Sequence, residues 1–512
     1  MIRLVLSEDN FEYDIRGIVM SFYPGEEITT KDIPSDKIIN ADYFEHYADI
    51  SFTVFDRIPC IEESCPDKKA SDGCEAERAV SDKKNDECEA GQIVFRKTLR
   101  AQAEYDDRKE YKCALKRGLY SLLSEHTGRT LPWGTLTGIR PTKIPMAMYE
   151  EGASDEEIIS YMKDEYLTSD EKIRLSMEIA ARELKILENI DYEDGYSIYV
   201  GIPFCPTTCL YCSFTSNPIG MWRNRVDEYL DAVFKEIDYV AEAFKDKKLN
   251  TIYIGGGTPT SITAGQMDRL LTKLEDSFDF TYMQEFTVEA GRPDSITIDK
   301  LEAIKKHKVT RISINPQTMK QDTLKLIGRH HTVEQIKEVF ALARQTGFDN
   351  INMDIILGLP EENIDDVRNT MEELVRLAPE NITVHSLAVK RAARLNTEKE
   401  LYSGLSMVNT DEMMQLTADY CAKIGLKPYY LYRQKNMAGN LENVGYAKEG
   451  KAGIYNILIM EEKQSIIALG AGSVTKRAFP DGRLERCVNV KEVNQYIERI
   501  DEMIERKRQL FS

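Results

Sequence analysis

From residue 196 to about residue 390 the sequence predicts an α/β fold on a parallel sheet, and three observations carry that prediction. Six strand-like runs, Tyr196–Val200, Thr251–Ile254, Glu285–Glu289, Arg311–Asn315, Asn350–Leu357 and Asn381–His385, alternate with helix-length segments, the pattern of repeated βα units. Polar and glycine-rich residues gather at or just beyond the carboxyl ends of these runs, where parallel barrels collect their reactive groups. Six units are nonetheless too few to close an eight-stranded barrel.

The chain has 512 residues, 42% of them hydrophobic, with a mean hydropathy of -0.42. That length suits two or three domains and a large core. No apolar run is long enough to cross a bilayer, and the N-terminus lacks a signal-peptide pattern, so a cytoplasmic protein is expected. The net charge of -19 argues against nucleic acid as the main partner, because phosphate backbones are bound through lysine and arginine. Ten cysteines are too sparse for a disulfide scaffold.

Residues 1–190 read as an α+β N-terminal domain. Ile18–Tyr23 and Ile50–Phe55 are expected strands. A mobile insertion is expected near 57–90, where charged and small residues surround Cys60, Cys65, Cys74 and Cys88 and too little apolar surface exists to offset ordering. Regular structure resumes at Gly91–Arg96, and helical periodicity begins near Lys116. Trp133–Thr142 reads as a tight turn with a buried tryptophan. Capping boxes are expected at Ser154 with Glu157 and at Thr168 with Glu171; after the second, Ile173, Met177, Ala180, Leu184 and Leu187 share one helix face. The polar stretch Asp191–Gly195 marks the boundary of a second domain, 191–390.

Three cysteines at C-x3-C-x2-C spacing, Cys205, Cys209 and Cys212, directly follow the first strand of that domain. Three thiolates do not complete a tetrahedral zinc site, and they leave one iron of a [4Fe–4S] cube open. The alternatives are a loop of reduced cysteines or a zinc site completed by a distant histidine. The second strand runs into Gly255-Gly256-Gly257-Thr258-Pro259-Thr260; such a triple glycine is by itself a turn, but it also lets backbone approach a ligand. Glu289, Gln317 and Asp354 fall at later strand ends and suit an ammonium group and a ribose diol. Arg329 can offer a fork to a carboxylate.

The order Tyr-x-x-Ile-Pro-Phe-Cys-x3-Cys-x-Tyr-Cys, Gly-Gly-Gly-Thr-Pro-Thr, Glu289, Gln317, Arg329, Asp354, Gly358-Leu-Pro360 resembles the radical S-adenosylmethionine (SAM) oxygen-independent coproporphyrinogen III oxidase family over roughly residues 196–480. Tyr432-Arg-Gln-Lys-Asn436 and Asn443-Val-Gly-Tyr446 are similar to its coproporphyrinogen dehydrogenase (HemZ) branch. The resemblance implies an open partial (β/α)6 TIM-like radical SAM barrel, with 391–512 as a tetrapyrrole-covering region. It implies that Cys205, Cys209 and Cys212 ligate a [4Fe–4S] cluster. It further implies that Tyr199, Gly256, Gly257, Thr258, Glu289, Gln317, Arg329, Asp354 and Val384 contact SAM, with Tyr211 near the adenine.

The implied reaction is oxidative decarboxylation of propionates to vinyl groups in haem biosynthesis. It needs a low-potential donor such as flavodoxin or ferredoxin and an electron acceptor that the sequence leaves unidentified. Two positions depart from the oxidase pattern: Gly201 replaces a histidine, and Phe214 a further cysteine. A haem chaperone and another radical SAM reaction on a tetrapyrrole, such as methyl transfer with ring opening, are the alternatives. Lys390, Arg391, Arg394, Arg433 and Lys435, among Tyr429, Tyr430 and Tyr432, form either a lid for an anionic macrocycle or a solvated face. Gly453–Leu458 and Ala468–Gly472 resemble the family's C-terminal strands, and Val488–Leu510 reads as one amphipathic helix.

Overall fold

The computed structural model describes residues 1–58, 92–138, 140–214, 216–398, 400–402, 404–434 and 441–512. Cys60, Cys65, Cys74, Cys88 and Lys435 lie outside the described residues, as does nearly all of the expected insertion. Backbone contacts divide the chain into two units, Met1–Thr137 with Ser154–Arg174, and Gly138–Ala153 with Leu175–Ser512.

In the first unit β1 (Ile2–Leu6), β2 (Ile28–Thr29), β3 (Lys37–Tyr43), β4 (Tyr47–Phe55) and β5 (Ile93–Gln102) form a sheet in the order β2-β1-β3-β4-β5. Its core joins Ile39, Ile50 and Phe52 to Leu115, Leu119 and Leu122 of the helix Arg108–Thr127. The expected strand at Ile18–Tyr23 is instead the end of the helix Glu12–Phe22. Ile15, Ile18, Val19 and Phe22, all buried, repeat at helical spacing, a period hidden when only the apolar run is considered. Trp133 is buried in its turn, and the capping box at Ser154 and Glu157 is present. The second expected cap moves by one residue: the helix begins at Asp170, and Ser169 Oγ accepts from Lys172 N at 3.4 Å.

The second unit contains β6 (Gly195–Ile202), β7 (Phe204–Cys205), β8 (Asn217–Pro218), β9 (Lys248–Gly256), β10 (Glu285–Gly291), β11 (Arg311–Ile314), β12 (Ile351–Leu357), β13 (Asn381–Ser386), β14 (Lys427–Tyr432), β15 (Asn443–Ala447), β16 (Ser465–Leu469), β17 (Val474–Ala478) and β18 (Leu484–Val488). The main sheet runs β14-β15-β13-β12-β11-β10-β9-β6-β16-β17-β18. Its end strands do not pair with each other, so the sheet is open, a partial TIM-like barrel. The six expected strands, β6 and β9 to β13, are its parallel centre. Flanking pairs are antiparallel, apart from β16 beside β6.

Two C-terminal expectations change. Gly453–Leu458 leads into a helix, Ile454–Glu461, because Glu285 holds its first amides: Glu285 Oε2 accepts from Ile454 N and, at 3.2 Å, from Tyr455 N. That cap comes from far away in the chain and leaves no local trace. The final segment is two helices, Val493–Glu498 and Ile500–Phe511, interrupted at Arg499. Ala468–Gly472 is the end of β16 and the turn after it.

Successive side chains of a strand point to opposite faces, and here the two faces differ in chemistry. Ile198, Val200, Ile252, Ile254, Phe286, Val288, Ile312 and Val384 are fully buried and apolar. The residues between them, Tyr199, Tyr253, Glu289, Arg311, Asn352, Asp354, Thr383 and His385, line one cavity of about 510 Å³. The barrel therefore has a polar lumen rather than a packed apolar centre.

Candidate functional site

The loop carrying the three cysteines is closed at its neck and pinned at its tip. At the neck β7 pairs with β8, and Asn217 N donates to Pro203 O at 2.8 Å. At the tip Leu210 N donates to Ile327 O at 3.0 Å, and Thr207 Oγ1 to Gly328 O at 3.0 Å. Arg292 Nη1 donates to Thr207 O at 3.0 Å and lies 3.8 Å from Cys209 Sγ. The same guanidinium forks onto Asp294 at 3.0 and 2.6 Å. Burial opposes ionisation of Asp294, but His331 and Arg292 outweigh it and hold this carboxyl below its ordinary range.

Cys205, Cys209 and Cys212 all open on the cavity. Burial pushes the Cys205 thiol up to about 11 and raises Cys212 too, so ligation would displace protons. Thr258 Oγ1 donates to Cys205 Sγ at 3.4 Å. Among the described residues no three His, Cys, Asp or Glu side chains converge as a single ion requires. An iron–sulfur cube asks its thiolates to reach separate corners, and three sulfurs with N–H and O–H donors beside them fit that group.

The glycines next to the cysteine loop are there for space. A Cβ at Gly257 would stand 2.6 Å from Phe204 O and 3.0 Å from Cys205 Sγ, and Gly256 has φ +108°. Glu289 extends from the next strand and accepts from Tyr253 Oη. Burial, with a smaller contribution from Asp354, raises the Glu289 carboxyl to about 7. Tyr253 stacks on Tyr455 at 4.6 Å, with Tyr199 6.3 Å from both.

Gln317 adopts φ +69°, a costly conformation for a non-glycine residue. It is held by Gln317 N to Asp354 O and by Ile356 N to Gln317 O, each at 2.9 Å. Its buried Oε1 has no partner among the described residues, so an acceptor is left available at the cavity wall. Arg329 donates from Nη1 to Asn315 O and from Nη2 to Tyr211 Oη at 3.3 Å, while its buried Nε is unpartnered. Burial would raise Asp354, but His385, Asn352 and Arg311 hold it lower. His385 Nε2 is 3.8 Å from Asp354 Oδ2, and its Nδ1 is 3.3 Å from Tyr432 Oη.

Twelve of the thirteen expected site residues thus share one cavity wall. Val384 is the exception: alternation turns its side chain into the core, between Thr383 and His385 on the wall. Of the expected cationic lid, Lys390 lines the cavity, its Nζ over the ring of exposed Phe214 at 5.8 Å. Arg394 is exposed and pairs with Glu398 at 3.1 Å, Arg391 is exposed, and Arg433 is buried off the wall. Tyr430 and Tyr432 line the cavity, whereas Tyr429 lies behind them. Gly201 is off the wall, its carbonyl accepting from Tyr229 Oη at 2.6 Å. Tyr253, Arg292, Arg311, His385 and Tyr455 escaped notice in the sequence. For Tyr253 and His385 the alternation with known site residues was an available signal.

A model of the Radical SAM superfamily matches residues 199–374. The chain is 45% identical over 404 residues, 78% of its length and 81% of the relative's, to the oxygen-independent coproporphyrinogen-III oxidase-like protein HemZ of Bacillus subtilis. It is 30% identical over 311 residues, 60% of its length and 76% of the relative's, to the heme chaperone HemW of the same organism. Among solved structures, coproporphyrinogen III oxidase (HemN) from Escherichia coli, described as a radical SAM enzyme, superposes with a TM-score of 0.48 and 21% identity, covering 61% of this chain and 70% of that one.

Proposed function

Because the chain belongs to the oxygen-independent coproporphyrinogen-III oxidase-like family of the radical SAM superfamily, we propose that it oxidatively decarboxylates coproporphyrinogen III, turning propionate side chains into vinyl groups. The observation that carries this reading is the polar lumen with three thiols at its mouth. A [4Fe–4S] cluster and SAM are the cofactors of the superfamily; when bound they supply a 5′-deoxyadenosyl radical by one-electron cleavage of SAM.

The chain's own residues would orient and shield that chemistry. Cys205, Cys209 and Cys212 would hold the cluster, with Thr258 and Arg292 donating toward two of the sulfurs. Gly256 and Gly257 admit a ligand close to backbone. Glu289, deprotonated, would accept from an ammonium group, Arg329 would bind a carboxylate, and Asp354 with Gln317 would accept from hydroxyls. Tyr199 and Tyr211 would pack on the cofactor, and Val384 would touch it through backbone alone. The cavity is roofed on one side by Tyr430 and Tyr432 and floored by the helix Ile454–Glu461, which supports a covering role for 391–512. Water kept out of such a site cannot quench a radical. The electron enters from a low-potential protein such as flavodoxin or ferredoxin in the cytosol, and a separate one-electron acceptor takes the electron released with carbon dioxide.

The test is anaerobic incubation of cluster-reconstituted protein with SAM, reductant and coproporphyrinogen III. Vinyl product together with 5′-deoxyadenosine supports the proposal. Stoichiometric haem binding without vinyl product would move the chain to the chaperone reading, and a methylated or opened ring to methyl transfer.

A further inference from the structure

Three arginines line the cavity, and two of them give both terminal nitrogens to protein acceptors. Arg292 is spent on Asp294 and Thr207, and Arg329 on Asn315 and Tyr211. Arg311 differs. It is 1% exposed, yet its Nε and Nη2 find no acceptor among the described residues.

The acids around it are committed elsewhere. Glu285 gives Oε2 to the amides of Ile454 and Tyr455, and its Oε1 accepts from Thr287 Oγ1 at 2.7 Å. Asp354 Oδ1 accepts from Asn352 Nδ2 at 2.6 Å, and its Oδ2 faces His385. The backbone at Gly453 closes over the guanidinium, since a Cβ there would be 3.5 Å from Arg311 Cζ. Glu285 and Asp354 attract the guanidinium, yet its Nε and Nη2 donate to nothing among the described residues, and buried donors are almost always satisfied. The remaining approach is from the lumen.

We propose that Arg311 is the receptor for a carboxylate arm of the substrate, reaching down the lumen from the mouth. A planar guanidinium fork matches a carboxylate. Arg311 stands in register with Thr287, Tyr253 and Tyr199, two residues deeper along its strand than Ser313 beside Glu289, with the cysteine loop beyond the carboxyl end of β6. It is therefore separate from Arg329, the candidate for the cofactor's carboxylate. A cavity of about 510 Å³ has the size of a pocket for one small ligand. With the cofactor in place, such a volume would leave room for an arm of a macrocycle rather than the whole ring. This inference deepens the proposed function and rests on it.

The test titrates the anaerobically cluster-reconstituted chain, with SAM present, with coproporphyrin III, followed by fluorescence quenching, for wild type, Arg311→Gln and Arg311→Lys. The expected result is at least ten-fold weaker binding by Arg311→Gln, an intermediate loss for Arg311→Lys, and SAM affinity unchanged in both. Wild-type coproporphyrin affinity in Arg311→Gln overturns the proposal. Should Arg311→Gln fail to fold, Arg311→Lys decides by whether its binding is weakened. Vinyl formation with an unchanged KM in Arg311→Lys would reject the arginine receptor and leave the oxidase reading standing. Arg311-dependent binding without any vinyl product would do the reverse.

Discussion

The six parallel strands present two surfaces on one backbone, and the two obey different rules. On the outer face Ile198, Ile252, Phe286, Ile312 and Ile382 are fully buried, each contributing roughly 1.5–3 kcal/mol through removal from water. On the inner face Glu289 is raised toward neutrality, and among the described residues Arg311 has two donors without an acceptor and Gln317 an unpartnered oxygen on a left-handed backbone. Each inner feature costs stability and each faces the cavity. Stability is thus stored under the helices, and it offsets a lumen built of groups that a core would reject.

Substitutions on the two faces should therefore fail in different ways. The largest effect is expected at the mouth: Cys205→Ala should abolish the cluster absorbance of reconstituted protein and lower SAM cleavage by about 10³-fold or more, equivalent to about 4 kcal/mol of barrier, with little change in thermal unfolding. On the opposite face Ile252→Ala should cost about 2–5 kcal/mol by denaturant titration, while activity per folded molecule stays the same. If Ile252→Ala instead loses activity at full stability, the division between the faces is wrong.

Glu289 sharpens the comparison through pH. Its carboxyl titrates at about 7 when folded against 4.5 in its ordinary state, so between those values the folded chain keeps a proton that the unfolded chain has released. The stability this gives is complete below about pH 4.5 and is lost as pH rises to about 7, on the order of 3 kcal/mol. Glu289→Gln should flatten that part of the stability profile of the cofactor-free chain. In the same window SAM binding by wild type should tighten with rising pH, as the carboxylate forms; affinity that does not change from pH 5.5 to 8 would remove Glu289 from the ammonium site.

Smaller effects follow from close packing and from capping. Gly257→Ala forces a methyl within 2.6 Å of Phe204 O and should cost about 1–3 kcal/mol, read as reduced iron content after reconstitution. Ser154→Ala removes the cap on Glu157 N and should cost about 1 kcal/mol, leaving iron content and SAM cleavage untouched.

Much of the site was legible because its signals are local. Cysteine spacing, the triple glycine and the strand-end carboxylates each sit within a few residues of the element that presents them, and strand alternation is a two-residue rule. Arg292 beside Cys209, and His385 between Asp354 and Tyr432, are pairings across 83, 31 and 47 residues, for which no local pattern exists. For the basic residues Lys390, Arg391, Arg394 and Arg433 the sequence left lid and solvated face both open for the same reason. Charge is visible in a sequence, but whether it faces a lumen or water is not.

The sequence alone determined the period of the barrel strands, the position of the thiol loop after the first of them, and the family to which the chain is similar. These follow from residue spacing, which acts over one turn or one strand. Tertiary structure decided the rest. Ile454–Glu461 became helix because a distant glutamate caps it, whereas the helix ending at Phe22 was readable from the one-turn spacing of Ile15, Ile18, Val19 and Phe22. Arg311 kept two donors without an acceptor among the described residues because the nearby carboxylate oxygens accept from other groups, and only the folded packing settles which acceptor goes to which donor.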